Sequence, residues 1–281
     1  MKKILFVVLL LFVLGCGAGP GENALEYNFK QGITEVQLQT LENAPPEKIY
    51  PNTPFKIIVE VDNQAAYDAT AGIVNIVGLD NAFFRVDRTE QSFTQIAGRS
   101  ALMPEGEKIY LEFDGAAGQL FQNSEEYVNT FFLKTRYNSR MEFTDTVCIN
   151  TNLYAVYDSG CTLEPTKSYS GQGAPLAVSE VEEIITPGAA VEFRVHLSNE
   201  GEGSMTVVHL GRTMLGGEEL TCEFQDVGEN KKSVSFTPEK QEATLICRKF
   251  LRDQSSYTTT LLLTFSYDYE VKEEQTLRLV R

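Results

Sequence analysis

The chain reads as an all-β protein of two tandem β-sandwich domains, and three observations predict this. First, apolar residues recur with a period of two. Val191, Phe193, Val195 and Leu197 alternate with Glu192, Arg194, His196 and Ser198, the pattern of a strand with one buried face. Ile57, Val59 and Val61 alternate in the same way, as do Leu261, Leu263, Phe265, Tyr267 and Tyr269. Second, Val, Ile, Thr, Tyr and Phe dominate these runs and Gly, Pro or Asn clusters punctuate them, whereas no long segment has helical amphipathicity. Third, the chain repeats itself. Tyr127, Thr130, Leu133, Tyr137 and Thr146 lie without gaps over Tyr257, Thr260, Leu263, Tyr267 and Thr276, and Pro54 to Asn63 matches Pro187 to Asn199.

The N-terminus is a secretory signal. Met1-Lys2-Lys3 supplies the positive region, and Ile4 to Gly15 contains no polar side chain. That run is too short for a comfortable membrane span, which takes ~20 apolar residues. Val13-Leu14-Gly15-Cys16 resembles a lipobox, which implies cleavage before Cys16 and attachment of lipid to its thiol. Residues 1–15 are then the signal peptide and 16–27 a lipidated tether, since Gly17-Ala18-Gly19-Pro20-Gly21 suits a flexible spacer.

Domain one is placed at residues 28–165. It opens with a strand from Ile33 to Leu41, turns at Ala44-Pro45-Pro46, and continues into the long strand ending at Asn63. Asp87 to Gly106 is a polar interruption around Phe93 and Ile96. Two readings are open: a loop that contacts a partner through Arg88, Phe93 and Arg99, or a hairpin or short helix covering one end of the sandwich. A Gly/Pro-rich linker at residues 166–173 leads to domain two at 174–281, whose first strand starts at Pro175-Leu-Ala-Val178.

Five cysteines are present, and an odd number in an exported chain leaves one without an internal partner. With Cys16 carrying lipid, the other four pair by proximity as Cys148–Cys161 and Cys222–Cys247. Cys222 and Cys247 share strand parity with their apolar neighbours, so both thiols point into the core. Val147 and Ile149 take the apolar parity beside Cys148, so its thiol faces away and the bond staples the connector to the outside of domain one. A four-cysteine zinc site is disfavoured, because no C-x-x-C pair occurs.

The proline-marked turn, the long strand and the Asn63 and Asn199 loops are similar to CARDB-type Ig-like repeats of prokaryotic surface proteins. The aliphatic strand–Asn–x–Gly pattern stands as Leu197-Ser198-Asn199-Glu200-Gly201, while Gln64 and Ala65 follow Asn63 in the first copy. The resemblance implies Ig-like sandwiches that serve as adhesive, spacer or binding modules without catalysis of their own.

No catalytic constellation is evident. His196 and His209 are the only histidines; His196 has solvent parity and His209 an ordinary strand setting. Gly-x-Ser-x-Gly, His-Glu-x-x-His and phosphate-loop patterns are missing. Asp62, Asn63 and Asp68, and likewise Ser198, Asn199, Glu200 and Glu202, cluster on loops, where turn chemistry explains them better than calcium. The net charge of −15 disfavours nucleic acid. The expectation is therefore an extracytoplasmic lipoprotein, held to the membrane through Cys16. It acts without enzyme activity or cofactor as an interaction, adhesion or structural module, towards an envelope protein or surface polymer. The alternative is a solute- or glycan-binding lipoprotein with a concave pocket lined by some of its twelve tyrosines.

Overall fold

The computed structural model describes residues 28–150, 160–186, 190–225, 227–228, 230–251 and 256–281. The signal peptide, Cys16 and the tether lie outside the described residues. Every named element is a strand. The first repeat carries β1 (Val36–Thr40), β2 (Pro54–Asn63), β3 (Ala69–Val77), β4 (Phe84–Val86), β5 (Glu90–Ile96), β6 (Lys108–Ala117) and β7 (Glu126–Asn150). The connector holds β8 (Thr166–Ser168), within the stretch read as a linker. The second repeat carries β9 (Leu176–Thr186), β10 (Ala190–Asn199), β11 (Ser204–Leu215) and β12 (Glu218–Glu219). It continues with β13 (Thr221–Phe224), β14 (Ser233–Ser235), β15 (Glu242–Phe250) and β16 (Ser256–Val280).

Each repeat keeps one sheet to itself. The first has the order β1-β2-β6-β4 and the second β8-β9-β10-β15-β13. With β8 set aside, the two orders correspond strand for strand, and both follow the A-B-E-D arrangement of an Ig-like sandwich. The long strands β2 and β10 sit at equivalent places, as the Pro-to-Asn match leads one to expect.

The remaining strands form one shared sheet, ordered β12-β11-β16-β7-β3-β5, with β14 also paired to β11. Its centre is the antiparallel pair of β7 and β16. These run 25 residues each and pair without a bulge from Ser256 opposite Asn150 to Val280 opposite Glu126. In an Ig-like sandwich a third strand follows C and F; here each repeat's long closing strand fills that place for the other.

Alternation along this pair sets the layers. Phe131, Leu133, Tyr137, Met141 and Phe143 of β7, with Leu261, Leu263, Phe265, Tyr267 and Tyr269 of β16, are buried on one face. Across from them pack Ile57, Val59 and Val61 of β2 and Val191, Phe193, Val195 and Leu197 of β10, in one continuous apolar cluster. Burying side chains of this size contributes roughly 1.5–3 kcal/mol each. The even-numbered face, with Arg136, Asn138 and Arg140, looks outward.

The repeats are also tied edge to edge. Ala66 N donates to Gly173 O (2.7 Å) and Gly173 N to Gly32 O (2.8 Å), so the connector is bonded to the first repeat. Buried Glu35, just before β1, accepts the Tyr269 hydroxyl of β16, and Gly203 N donates to that same hydroxyl at 2.8 Å. Gly201 is required here: a Cβ on it would stand 2.2 Å from Tyr269 Oη and 2.5 Å from Glu35 Oε2. The glycine of the Leu197–Gly201 pattern thus makes room for a contact between repeats. The shared sheet and these bonds span the junction between the repeats.

Both disulfides are present. Cys222 and Cys247 are direct register partners on β13 and β15, with Cα atoms 4.0 Å apart and both residues fully buried. Cys148 and Cys161 are joined with a Cα separation of 5.7 Å, outside the apolar cluster that includes Val147 and Ile149.

Candidate functional site

A groove of about 640 Å³ opens where the two repeats meet. Its lining comes from both: Tyr67 from the β2–β3 turn, Arg99 from the β5–β6 loop, Arg140 from β7, Arg212 from β11, and Thr264 and Ser266 from β16. Arg212 falls where the β11–β16 register slips between Leu210 and Thr213, and its backbone N donates to Thr264 Oγ1 at 2.6 Å. Irregularities of this kind re-aim a side chain away from the regular pleat.

Most polar groups in the groove are spent on its own walls. Lys30 Nζ pairs with Glu142 Oε1 at 3.0 Å. The Tyr67 hydroxyl accepts from Glu142 N (3.1 Å) and donates to Glu142 O (3.0 Å). Burial pushes its pKa up to about 12, against the partly opposing backbone bond to Glu142. Asp68 accepts from Gly98 N at 3.0 Å and Gln95 Nε2 at 2.8 Å. Arg99 donates to Phe29 O and Thr34 Oγ1, both at 3.1 Å, and so closes one end. The side chains of Arg140 and Arg212 differ: both are exposed, and neither has an ion-pair or hydrogen-bond partner among the described residues.

The three residues singled out from the sequence as partner contacts separate. The interruption from Asp87 to Gly106 holds strand β5, which forms the edge of the shared sheet beside β3, and then a loop that begins at Ala97. Phe93 turns inward and is 9% exposed, lying over Gly72, where a Cβ would come within 1.8 Å of its ring. Arg99 belongs to the seam groove, and Arg88 is the exposed member. Arg140 and Arg212 were not singled out. Their solvent parity is legible in the alternation, but their convergence depends on pairing between repeats.

The loop clusters act as turns. Asn63 Nδ2 donates to Tyr67 O (3.0 Å) and Ile96 O (2.9 Å), while Asn63 Oδ1 accepts from Ala65 N (3.1 Å). Asn199 Nδ2 bonds Gly203 O (3.0 Å) and Gln241 Oε1 (2.8 Å). Asp62 is held by Lys108 at 3.1 Å. His209 is exposed on β11 opposite Ser266. His196 faces Glu180 and Glu182 on the outer side of the second repeat's own sheet.

No known protein family matches the chain, and no curated protein matches it. Among solved structures, the chain is similar to the E. coli chaperone DraB at 8% identity, covering 81% of this chain and 95% of that one with a TM-score of 0.20. The periplasmic chaperone SfaE gives 12% identity, coverage of 87% and 98%, and a TM-score of 0.19. A PapD-like domain of human CEP192 gives 10% identity, coverage of 37% and 72%, and a TM-score of 0.20. Scores of this size assign the chain to no family; its all-β architecture rests on its own strands.

Proposed function

We propose that this is an exported, lipid-anchored, non-catalytic interaction module of the cell envelope, and that the seam groove receives an acidic group of its partner. The observation that carries this reading is that Arg140 and Arg212 line one groove, exposed and without ion-pair partners among the described residues, while its carboxylates Asp68 and Glu142 are engaged by the groove's own donors, in a chain with 39 acidic and 24 basic residues. A guanidinium offers a flat fork of donors suited to a carboxylate, phosphate or sulfate. The unbulged β7–β16 pair fixes the spacing of the two walls before any partner arrives, which lowers the ordering cost of binding. Two disulfides accord with an oxidising, extracytoplasmic setting. Anchoring rests on the resemblance of Val13-Leu14-Gly15-Cys16 to a lipobox.

Two arms test the proposal. The Cys16→Ser chain is expected in the soluble fraction, with the wild type in membranes and labelled by radioactive palmitate; an unlabelled wild type would overturn the anchor. For the groove, photo-crosslinking on intact envelopes should trap an adduct that the Arg140→Glu/Arg212→Glu chain loses. An adduct of undiminished yield from that variant would overturn the groove as the binding site.

A further inference from the structure

We infer that Glu180, Glu182 and His196 form a three-ligand site for a late first-row divalent cation, Zn²⁺ being the representative case, on the outer face of the second repeat's sheet. The site is built by register. His196 of β10 lies opposite Glu180 of β9, and Glu182, two residues along, points to the same face. The pairing jumps from His196–Glu180 to Leu197–Val178 and leaves Ser179 over, so a bulge sits at the cluster.

The donor atoms already converge. One ligand atom from each of the three residues lies within 4.8 Å of the others. His196 Nε2 stands 3.5 Å from Glu182 Oε1 and 4.0 Å from Glu180 Oε1. Donors bound at ~2.0–2.1 Å to a tetrahedral ion are ~3.3 Å apart, so the three ligand atoms would have to draw together on the ion, chiefly by movement of the two glutamate side chains.

A second, independent observation concerns the imidazole. Although the ring is 37% exposed, its Nε2 atom is shut off from solvent and has no hydrogen-bond partner among the described residues, while it is directed at two carboxylates. On the other side of the ring, Nδ1 is 3.4 Å from Thr244 Oγ1. A proton on Nδ1 shared with that hydroxyl leaves the Nε2 lone pair free, which is the tautomer a metal-bound histidine needs. Arg194 Nη1, 3.8 Å from Glu182 Oε2, holds the carboxylate oxygen that the ion does not use. One nitrogen and two carboxylates favour Zn²⁺, Co²⁺ or Ni²⁺ over calcium, which takes more ligands and all of them oxygen. Glu180 and His196 also line a groove of about 470 Å³, together with Gln225, Lys240, Glu242 and Thr244.

The test is titration of detergent-solubilised full-length protein with Co²⁺, followed by visible absorption, then displacement with Zn²⁺. The wild type is expected to saturate at one equivalent with the intense bands of a low-coordinate ion. His196→Ala should weaken binding by more than the ~100-fold that losing an outer partner of a ligand can cost, and Glu182→Gln should weaken it too. His209→Ala should bind as the wild type does. Far-UV circular dichroism establishes that each variant is folded. A wild type without saturable binding, or a folded His196→Ala chain with unchanged affinity, would overturn the site.

Discussion

Asn138 and Asp268 lie directly opposite each other on β7 and β16 and are 130 residues apart. That separation is the offset between the two copies of the repeat, as Tyr127 and Tyr257 show. A residue that faces its own counterpart marks a two-fold axis, so an approximate two-fold passes between these two side chains, which are joined by an Asn138 Nδ2 to Asp268 Oδ1 bond. Pairs on either side exchange accordingly: Tyr137 faces Tyr269, and Ser139 faces Tyr267. The symmetry breaks where Ser139 stands in place of a fourth tyrosine. Its hydroxyl donates to Asp68 O at 2.9 Å, while Tyr269 on the other side bonds Glu35.

Tyr269→Phe should separate the repeats' mutual support from their individual cores. The ring stays and only the hydroxyl is lost, leaving buried Glu35 and Gly203 N each short of a partner. An unsatisfied buried group costs ~1–3 kcal/mol, so urea unfolding should show a loss in that range. A loss below a few tenths would mean that the bond contributes little to stability.

Glu183 makes stability depend on pH. Its side chain is buried, its Oε1 has no hydrogen-bond partner among the described residues, and burial raises its pKa from 4.5 to about 7 despite the opposing charge of Lys167. Between those values the folded form keeps a proton that the unfolded chain releases. Stability should therefore fall as pH rises from 4.5 through about 7. Glu183→Gln removes the titration. At pH 8 it should exceed the wild type by on the order of 2 kcal/mol, with the two close at pH 4. Equal stabilities at pH 8 would refute the account.

The two disulfides should differ in weight. Closing loops of 25 and 13 residues constrains the unfolded chain by about 3.5 and about 3 kcal/mol in the chain-entropy model. Replacing Cys222 and Cys247 together by Ala should lower the melting temperature by roughly 10 °C. That pair is also fully buried, whereas Cys148 is 8% exposed and Cys161 half-buried, so loss of the fully buried pair leaves the larger packing defect. Scanning calorimetry that ranked the pairs the other way would contradict this.

Phe93 and Arg88 should respond in opposite ways. Phe93→Ala empties the space over Gly72 and should cost ~3–5 kcal/mol. Arg88→Ala, at an exposed position, should stay within ~0.5 kcal/mol. Denaturant midpoints of the two variants decide it.

These contrasts show what one-dimensional pattern carries. The period of two located β2, β10, β7 and β16, and parity alone placed Cys222 and Cys247 inside. Phe93 was less legible, because it and Ile96 are the buried residues of β5 and stand three apart; the room for Phe93 comes from Gly72, distant in sequence and directly opposite in the sheet. The fusion of the repeats had one trace in the sequence: alternation persists for far longer than the ~5–6 residues usual for a strand. Which strand would pair with such a run is a long-range choice that periodicity does not encode. Arg140 and Arg212 come to line one groove only through that kind of pairing.

The long central ladder also limits growth. Repeats strung head to tail can be extended indefinitely, because every added unit presents a fresh end. Here each closing strand has β3 or β11 along one side and its counterpart along the other. A third copy appended to the chain would find both such flanks occupied, so this mode of assembly terminates at a pair, as a closed dimer does.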